Sequence, residues 1–368
     1  MSPRPAVLFG GISPEHDVSI ITGLLAAQAL AGAGHDVEAI YWSKRGDFYA
    51  VDPGLNPDAF VQGVPAGATE LQFHVGAGFT TKGGGFGRKA RQLEADVVVN
   101  CCHGGPGEDG TLQGLLDLAG LRYTGPSVAG ASLGMDKLAF AAVCTSAGLP
   151  HLPTVAVDPN DPGAAPFDGP YIVKPRFGGS SIGIETFASW DDVSAFVRMP
   201  NPNLRRGIVV EPFRDGAQDI EIAIRRHPEL QLSALSKPEK GGAIFDYRNK
   251  YVPGEGMTSS NRETPAQLPA NIASVARDAA RAVAHLAVVR GLARLDFLLI
   301  GDELFVNEIN TIPGSLTKHL WVDPQIPFPT LLGDMIAEAM AGPGAAYSTE
   351  GADGSILRSS ASIASKLG

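Results

Sequence analysis

Cysteine is scarce in this chain. There are three in 368 residues, Cys101, Cys102 and Cys144, without the paired spacing that a zinc site or a disulfide framework needs. The adjacent Cys101 and Cys102 read as packing residues at a strand end. Basic charge is in deficit, 29 Lys and Arg against 39 Asp and Glu, for a formal net charge of -10. Such a surface repels nucleic acid and anionic membranes at long range, so neither is an expected partner. Long apolar runs are missing too. Only Ala6-Val7-Leu8-Phe9 precedes the first glycines, too few for a signal-peptide apolar region, and no stretch approaches the ~18 apolar residues of a membrane span. The expected location is the cytoplasm. With 44% apolar and 18% charged residues, the composition is that of a globular chain. Its length exceeds one compact core, so two or three domains are expected.

What is present first is alternation of strand and helix. A strand at 5–9 meets the turn Gly10-Gly11, an apolar-periodic helix follows over 17–33, and a second strand covers 36–41. A buried strand at 95–101, a glycine-rich loop and a helix at 111–119 complete a parallel α/β pattern, with the ligand face where the strands end in glycine-rich loops. Residues 52–91 have weak periodicity and read as an inserted hairpin and surface loop. A helix at 135–147 is followed by strands at 171–174, 207–211, 219–226 and 230–236, which suggest a smaller sheet-rich middle domain. A helix at 268–289 then precedes strands at 293–300 and 303–309, joined by Gly301-Asp302. The tail beyond 342, rich in Gly, Ala and Ser, is expected to be poorly ordered.

Chemistry-bearing residues gather at the ends of these elements. Asp296, Glu308 and Asn310 offer two carboxylates and an amide oxygen on neighbouring strands, donors suited to Mg2+ on nucleotide phosphates. Acidic residues near a turn are usually solvated, but Asp296 and Glu308 lie in apolar strands, where an unpaired carboxylate is costly. Arg294 stands two residues before Asp296, on the same strand face. That is either a structural ion pair or an oxyanion clamp beside a metal. Lys174 ends a buried strand before Gly178-Gly179-Ser180-Ser181, a loop able to turn backbone N–H groups toward phosphate. It is neither a P-loop nor a dinucleotide fingerprint, because the lysine precedes the glycines. Lys137 opens a helix and offers a second phosphate contact, and Glu211-Pro212-Phe213 ends a strand. Glu15 and Glu108 sit in glycine-rich strand ends, and His16 reads as a surface helix residue. The polar region 237–267 is long enough for a lid.

Together these stretches resemble the D-alanine:D-alanine ligases. The pieces, in order, are GGISPEHDVS at 10–19, HGGPGEDGTLQG at 103–114, YTGPS and MDK within 123–137, VKPRFGGSSIGI at 173–184, FDYRNKY at 245–251, ARLDF at 293–297 and NEINTIPG at 307–314. The resemblance implies a three-domain ATP-grasp fold of the α/β class with an N-terminal parallel α/β domain. Its parts would be an N-terminal domain at 1–125, a central subdomain at 126–211, a C-terminal subdomain at 212–341 carrying the lid 237–267, and a tail at 342–368. It implies ATP and D-alanine as substrates, two Mg2+ ions with Mn2+ as a substitute, and a homodimer. By resemblance, Lys137, Lys174, Ser180, Ser181 and Lys250 would face the ATP phosphates. Glu211 and Phe213 would meet adenine, Asp219 the ribose, and Asp296, Glu308 and Asn310 the metal ions. Glu15 would hold the first D-alanine's ammonium, with His103 near its carboxylate. Glu15, Ser180 and Tyr251 would form a latch, and Arg294 and Gly314 would shape the oxyanion site.

The chain departs from the family where the second substrate binds. Six positions after Pro313 the family usually carries a small hydroxyl residue, and here stands His319, followed by Leu320. Either His319 faces the acceptor and titrates within the assay range, or it turns away and Lys318 or Leu320 takes its place. A D-lactate, D-serine or specialised amine acceptor is the alternative within the same chemistry, although the Lys250-Tyr251 pair favours dipeptide formation. A catalytically silent nucleotide-binding protein would have lost phosphate or metal ligands, and none is lost here.

Overall fold

A computed structural model describes residues 3–82, 90–239, 262–345 and 347–359. Its strands fall into three sheets. The first contains β1 (Pro5–Gly10), β2 (Glu38–Trp42), β3 (Phe48–Val51), β4 (Thr69–His74), β5 (Gly78–Thr81) and β6 (Val97–Asn100), in the spatial order β5-β4-β3-β2-β1-β6. β1 pairs in parallel with β2 and β6, and it is buried along its whole length because both faces are covered. Val7 and Phe9 pack beneath α1 (His16–Gly32) and the late helix Phe328–Ala341, while Ala6 and Leu8 pack with Leu112 and Leu116 of Thr111–Leu118.

The insert expected at 52–91 holds the hairpin, β4 and β5, but this hairpin joins the first sheet. β3, β4 and β5 extend the first sheet in antiparallel fashion, and Phe48, Leu71 and Phe79 enter its core. Four- to six-residue strands are too short to leave a clear alternation in sequence. His16 also corrects its reading as a surface residue. It is 2% exposed, packed edge-on against Tyr41 with ring centroids 5.6 Å apart, and its Nδ1 lies 2.6 Å from the Gly11 carbonyl. The tight turn after β1 folds the helix start back over the sheet. Cys101 and Cys102 are fully buried beyond β6, as packing residues.

The second sheet contains β7 (Val155–Val157), β8 (Tyr171–Pro175), β9 (Glu185–Phe187) and β10 (Ile208–Pro212), in the order β7-β10-β8-β9. The third holds β11 (Gln218–Arg225), β12 (Gln231–Pro238), β13 (Arg262–Glu263), β14 (Leu292–Ile300) and β15 (Glu303–Asn310), in the order β13-β12-β11-β14-β15. Strands 219–226 and 230–236, read in sequence with the middle region, therefore belong to the sheet of the late strands, the first pairing with β14 and the second with the first. On β11 the alternation is strict. Ile220, Ile222 and Ile224 pack against the amphipathic helix Ala270–Leu286, which leaves Asp219 and Glu221 on the other face, where they line a cavity. The helix expected at 135–147 is Lys137–Ser146, and a separate helix, Val128–Met135, precedes it. Asp136 separates them and caps Lys137–Ser146 by accepting from Leu138 and Ala139 N–H. Of the tail, Ser355–Ser359 forms a short helix. No helix among the described residues is long and apolar enough to cross a membrane.

Candidate active site

One cavity runs between the second and third sheets, lined by Lys137, Lys174, Glu211, Phe213, Asp219, Glu221, Arg294, Asp296, Asn307 and Glu308 among others. At one end Lys174 and Glu211, on paired strands β8 and β10, form an ion pair of 2.6 Å with both side chains 9% exposed. Thr154 donates to the other Glu211 oxygen at 3.2 Å, and Lys174 reaches Asn307 Oδ1 at 3.4 Å. Phe213 and Asp219 line the same end. Lys137 donates to the Gly178 carbonyl and lies 3.4 Å from Glu308. Its position is fixed by the preceding residue, because Asp136 holds Arg176 through both carboxylate oxygens and the Lys137 N–H donates to the Arg176 carbonyl. Ser180 and Ser181 both adopt left-handed backbone, φ 53° and 58°, a conformation that residues with a Cβ take at a cost.

The middle of the cavity is a row of acids. Glu221, Asp296 and Glu308 stand opposite one another across β11, β14 and β15. A register shift beside Asp296 breaks the alternation of β15, so that Asn307 and Glu308 both line the cavity while Val306 and Ile309 enter the core. Arg294 donates to both Asp296 oxygens, at 2.6 and 2.7 Å, and Asn310 Nδ2 donates to Asp296 at 3.0 Å. Burial pushes the Asp296 carboxyl up to about 6, against the pull of Arg294 and with help from Glu221 and Glu308. Burial alone would also raise Glu221, but the guanidiniums of Arg294 and Arg262 overcome it and hold that carboxyl at about 2. Among the described residues no group of three or more His, Cys, Asp or Glu is arranged to hold a metal ion. The donor chemistry of Asp296, Glu308 and Asn310 nevertheless fits Mg2+, since crowded carboxylates that resist ionisation are relieved by a divalent cation.

The first sheet's loops meet the glycine-rich loop after β8 beside this cavity. Ser180 donates to Glu15, tying the glycine-rich loop after β8 to the turn after β1. Gly104, at φ 62°, passes so close to Glu15 that a Cβ would collide with its carboxylate. Glu108 accepts from Gly104 N–H and Ile312 N–H, each at 2.9 Å, and so joins this loop to the segment after β15. Burial raises its carboxyl to about 7, with Glu15 adding to the rise. His103, expected near a substrate carboxylate, has both ring nitrogens engaged, 2.6 Å from the Ile312 carbonyl and 2.8 Å from Thr22 Oγ1. Burial lowers its pKa to about 4, so it is a neutral buried link between these segments.

Gly314 begins a tight turn, Gly314–Leu320, in which Ser315, Leu316 and Thr317 have φ of 48°, 46° and 55°. Ser315 N–H donates to Thr22 Oγ1 at 3.1 Å. Leu320 is fully buried among Leu24, Trp321 and Leu331. His319 Nε2 lies 3.0 Å from Arg262 Nη1, and burial lowers its pKa to about 4, with Arg262 adding to the fall. Lys250 and Tyr251 lie outside the described residues, as does most of the 237–267 lid. Glu221 and Asn307 carried no assignment from sequence. Glu221 had a signal in its place opposite the isoleucines of β11, but the bulge that turns Asn307 inward had none.

An elongated cavity with cationic residues at one end and a carboxylate row in its middle, clasped between two sheets, belongs to the ATP-grasp fold and its ligases. The chain is a member of the D-ala D-ala ligase family, whose N-terminal model matches residues 4–126 and whose C-terminal model matches residues 159–337. It is 31% identical over 355 residues to D-alanine--D-alanine ligase of Bradyrhizobium sp. (strain ORS 278), covering 92% of this chain and 95% of that one. Identity to D-alanine--D-alanine ligase of Mycobacterium bovis is also 31%, over 369 residues, with the same coverage. The solved D-alanine-D-alanine ligase of Coxiella burnetii superposes with a TM-score of 0.73 at 25% identity, covering 92% of this chain and 95% of that chain.

Proposed function

We propose that this enzyme joins two D-alanine molecules at the expense of ATP, through an acyl phosphate, to supply D-alanyl-D-alanine for peptidoglycan precursors in the cytoplasm. The observation that carries the reading is the single cavity in which Lys137, Lys174, Arg294, Asp296 and Glu308 meet beside the Glu15–Ser180 link. A carboxylate resists attack by an amine because its leaving group is poor, and phosphorylation supplies a better one. In this reading Glu211 and Phe213 receive adenine, Asp219 the ribose, and Lys137, Lys174 and the Ser180-Ser181 loop the phosphates. Two Mg2+ ions, held by Asp296, Glu308 and Asn310, would supply charge neutralisation and alignment of the phosphates.

Glu15 orients the first D-alanine by its ammonium, with Ser180 fixing the Glu15 carboxylate. Arg294 stabilises the oxyanion that develops as the second D-alanine attacks, and the Gly314 turn closes that side. An acyl phosphate hydrolyses in water, which gives the 237–267 lid, with Lys250 and Tyr251, the task of excluding it. The test is to incubate the protein with ATP, Mg2+ and either D- or L-alanine, following phosphate release and product mass. D-alanyl-D-alanine with stoichiometric phosphate is expected from D-alanine alone, and comparable turnover with L-alanine refutes the assignment.

A further inference from the structure

The glycine-rich loop after β8 holds Ser180 and Ser181 in left-handed backbone, a costly conformation that persists only where the surroundings fix it. Glycines supply no such hold. An aromatic residue stands among them, Phe177, and its ring is met by two guanidiniums, with Arg176 Cζ 5.1 Å and Arg206 Cζ 4.8 Å from the centroid. Each guanidinium is tied to a carboxylate outside the second sheet. Arg176 donates to both oxygens of Asp136, which caps the helix Lys137–Ser146. Arg206 Nη1 donates to Asp109 Oδ2 at 3.0 Å, reaching the glycine-rich segment that follows β6. Asp109 is oriented to receive it, since its Oδ1 accepts from Thr111 N–H at 3.1 Å and its side chain is 9% exposed. Arg206 is in turn fastened to the loop it contacts, because Arg176 N–H donates to the carbonyl of the next residue, Gly207, at 3.0 Å.

Stability alone does not call for this pair. The Arg206 side chain is 59% exposed, and an ion pair with one partner in water contributes little to the fold. Its place is what distinguishes it. At one end of the segment 104–109, Gly104 lies against the Glu15 carboxylate, to which Ser180 donates; at the other end, Asp109 receives Arg206. The second sheet is thus fastened to the first sheet's loops at two points, and two points fix an orientation about which a single hydrogen bond leaves the loop free to pivot. We propose that Arg206 is a positioning residue: paired with Asp109 and set over Phe177, it holds the loop 176–181 in the orientation in which Ser180 meets Glu15. The inference rests on the ligase reading and deepens it by naming what couples the phosphate loop to the first amino-acid site. Arg206 itself lies outside the cavity lining, whereas Gly178, Gly179 and Ser181 of its loop are part of it. Losing Arg206 therefore weakens the first D-alanine. The nucleotide keeps Lys174, paired with Glu211 on the adjoining strand, and Lys137, at the start of its own helix.

The experiment is a double-mutant cycle on the full-length enzyme, with Arg206→Gln and Asp109→Asn made singly and together. Asparagine keeps an acceptor for Thr111 N–H and removes the charge. Hydrogen exchange read by mass spectrometry follows the peptide covering 176–184. KM is measured with Mg2+ present for ATP and for each of the two D-alanine sites, and thermal unfolding reports that each variant is folded. Each single variant is expected to speed exchange of that peptide and to raise the first-site KM by about threefold to tenfold, with the KM for ATP changed by less than about twofold. The double variant should go no further than Arg206→Gln alone, and Arg206→Lys, which keeps a charge for Asp109, should fall between wild type and Arg206→Gln in both readouts. Folded variants that exchange as wild type does and keep its first-site KM overturn the positioning role. So does a double variant whose effects are the product of the two single ones, because residues that act through one contact do not add. Wild-type enzyme that makes no dipeptide from ATP and D-alanine overturns the ligase reading instead, and the exchange cycle still decides whether Arg206 and Asp109 hold the loop.

Discussion

Glu108 shows how one side chain comes to serve two segments. Its carboxylate accepts from Gly104 and Ile312 N–H, residues 208 positions apart in sequence, and burial lifts it from an ordinary 4.5 to about 7. The folded chain thus holds this proton more tightly than the unfolded chain does. The associated stability is present in full below about pH 4.5 and is lost as pH rises through 7, a contribution of about 3 kcal/mol. Glu108→Gln should abolish this slope, leaving one backbone N–H without an acceptor at a constant cost of about 1–3 kcal/mol. Urea midpoints of both proteins at pH 5 and pH 8 check it, and parallel pH dependences would refute it. His319 is the residue where the expectation from sequence changes. With its pKa lowered to about 4 by burial and by Arg262, the imidazole is neutral across the assay range. The ratio of products in competition with D-lactate should therefore have the same pH profile, from pH 6 to 8.5, in wild type and His319→Ser. A profile flattened by the substitution would restore His319 as the titrating selector.

At the scale of elements, β14 and β15 are long apolar strands that carry the acids on one face, and the bulge in β15 is what brings Glu308 opposite Asp296. Replacing Glu308 by Gln leaves the strand pairing intact and removes a charge from the row of acids in the cavity. Turnover should fall by on the order of 100-fold, with the unfolding midpoint nearly unchanged; steady-state phosphate release and thermal unfolding together test this. The helix Lys137–Ser146 depends on Asp136 as its cap and on the Asp136–Arg176 pair. Asp136→Ala should cost about 1–2 kcal/mol from the cap alone and weaken ADP binding, because Lys137 loses its fixed start. Calorimetric ADP titration beside a denaturant curve separates the two effects. Unchanged ADP affinity would show that Lys137 is held by the Gly178 carbonyl without help from its cap.

At the scale of the whole molecule, the site is a meeting of three sheets. Glu15 comes from the turn after β1, Ser180 from the loop after β8 and Arg294 from β14. Gly104 makes the first of these joints possible, since any Cβ there strikes the Glu15 carboxylate. Gly104→Ala should keep the nucleotide end intact while lowering kcat/KM for the first D-alanine by on the order of 100-fold, as misplacement by about 1 Å does. ADP affinity measured in parallel should stay near wild type, and a loss of both would place the damage in the fold. The sequence alone determined the order of strands and helices, the apolar faces that pack them, and the motifs that carry Lys174, Arg294 and Asp296, because each depends on neighbours along the chain. It did not determine the partners of Glu221, which are Arg262 and Arg294 from two other strands. Nor did it determine the burial of His16 or the engagement of both His103 nitrogens. Charge state and partner are set by what lies within about 4 Å in space, where screening by water is lost, and only the tertiary fold decides which residues those are.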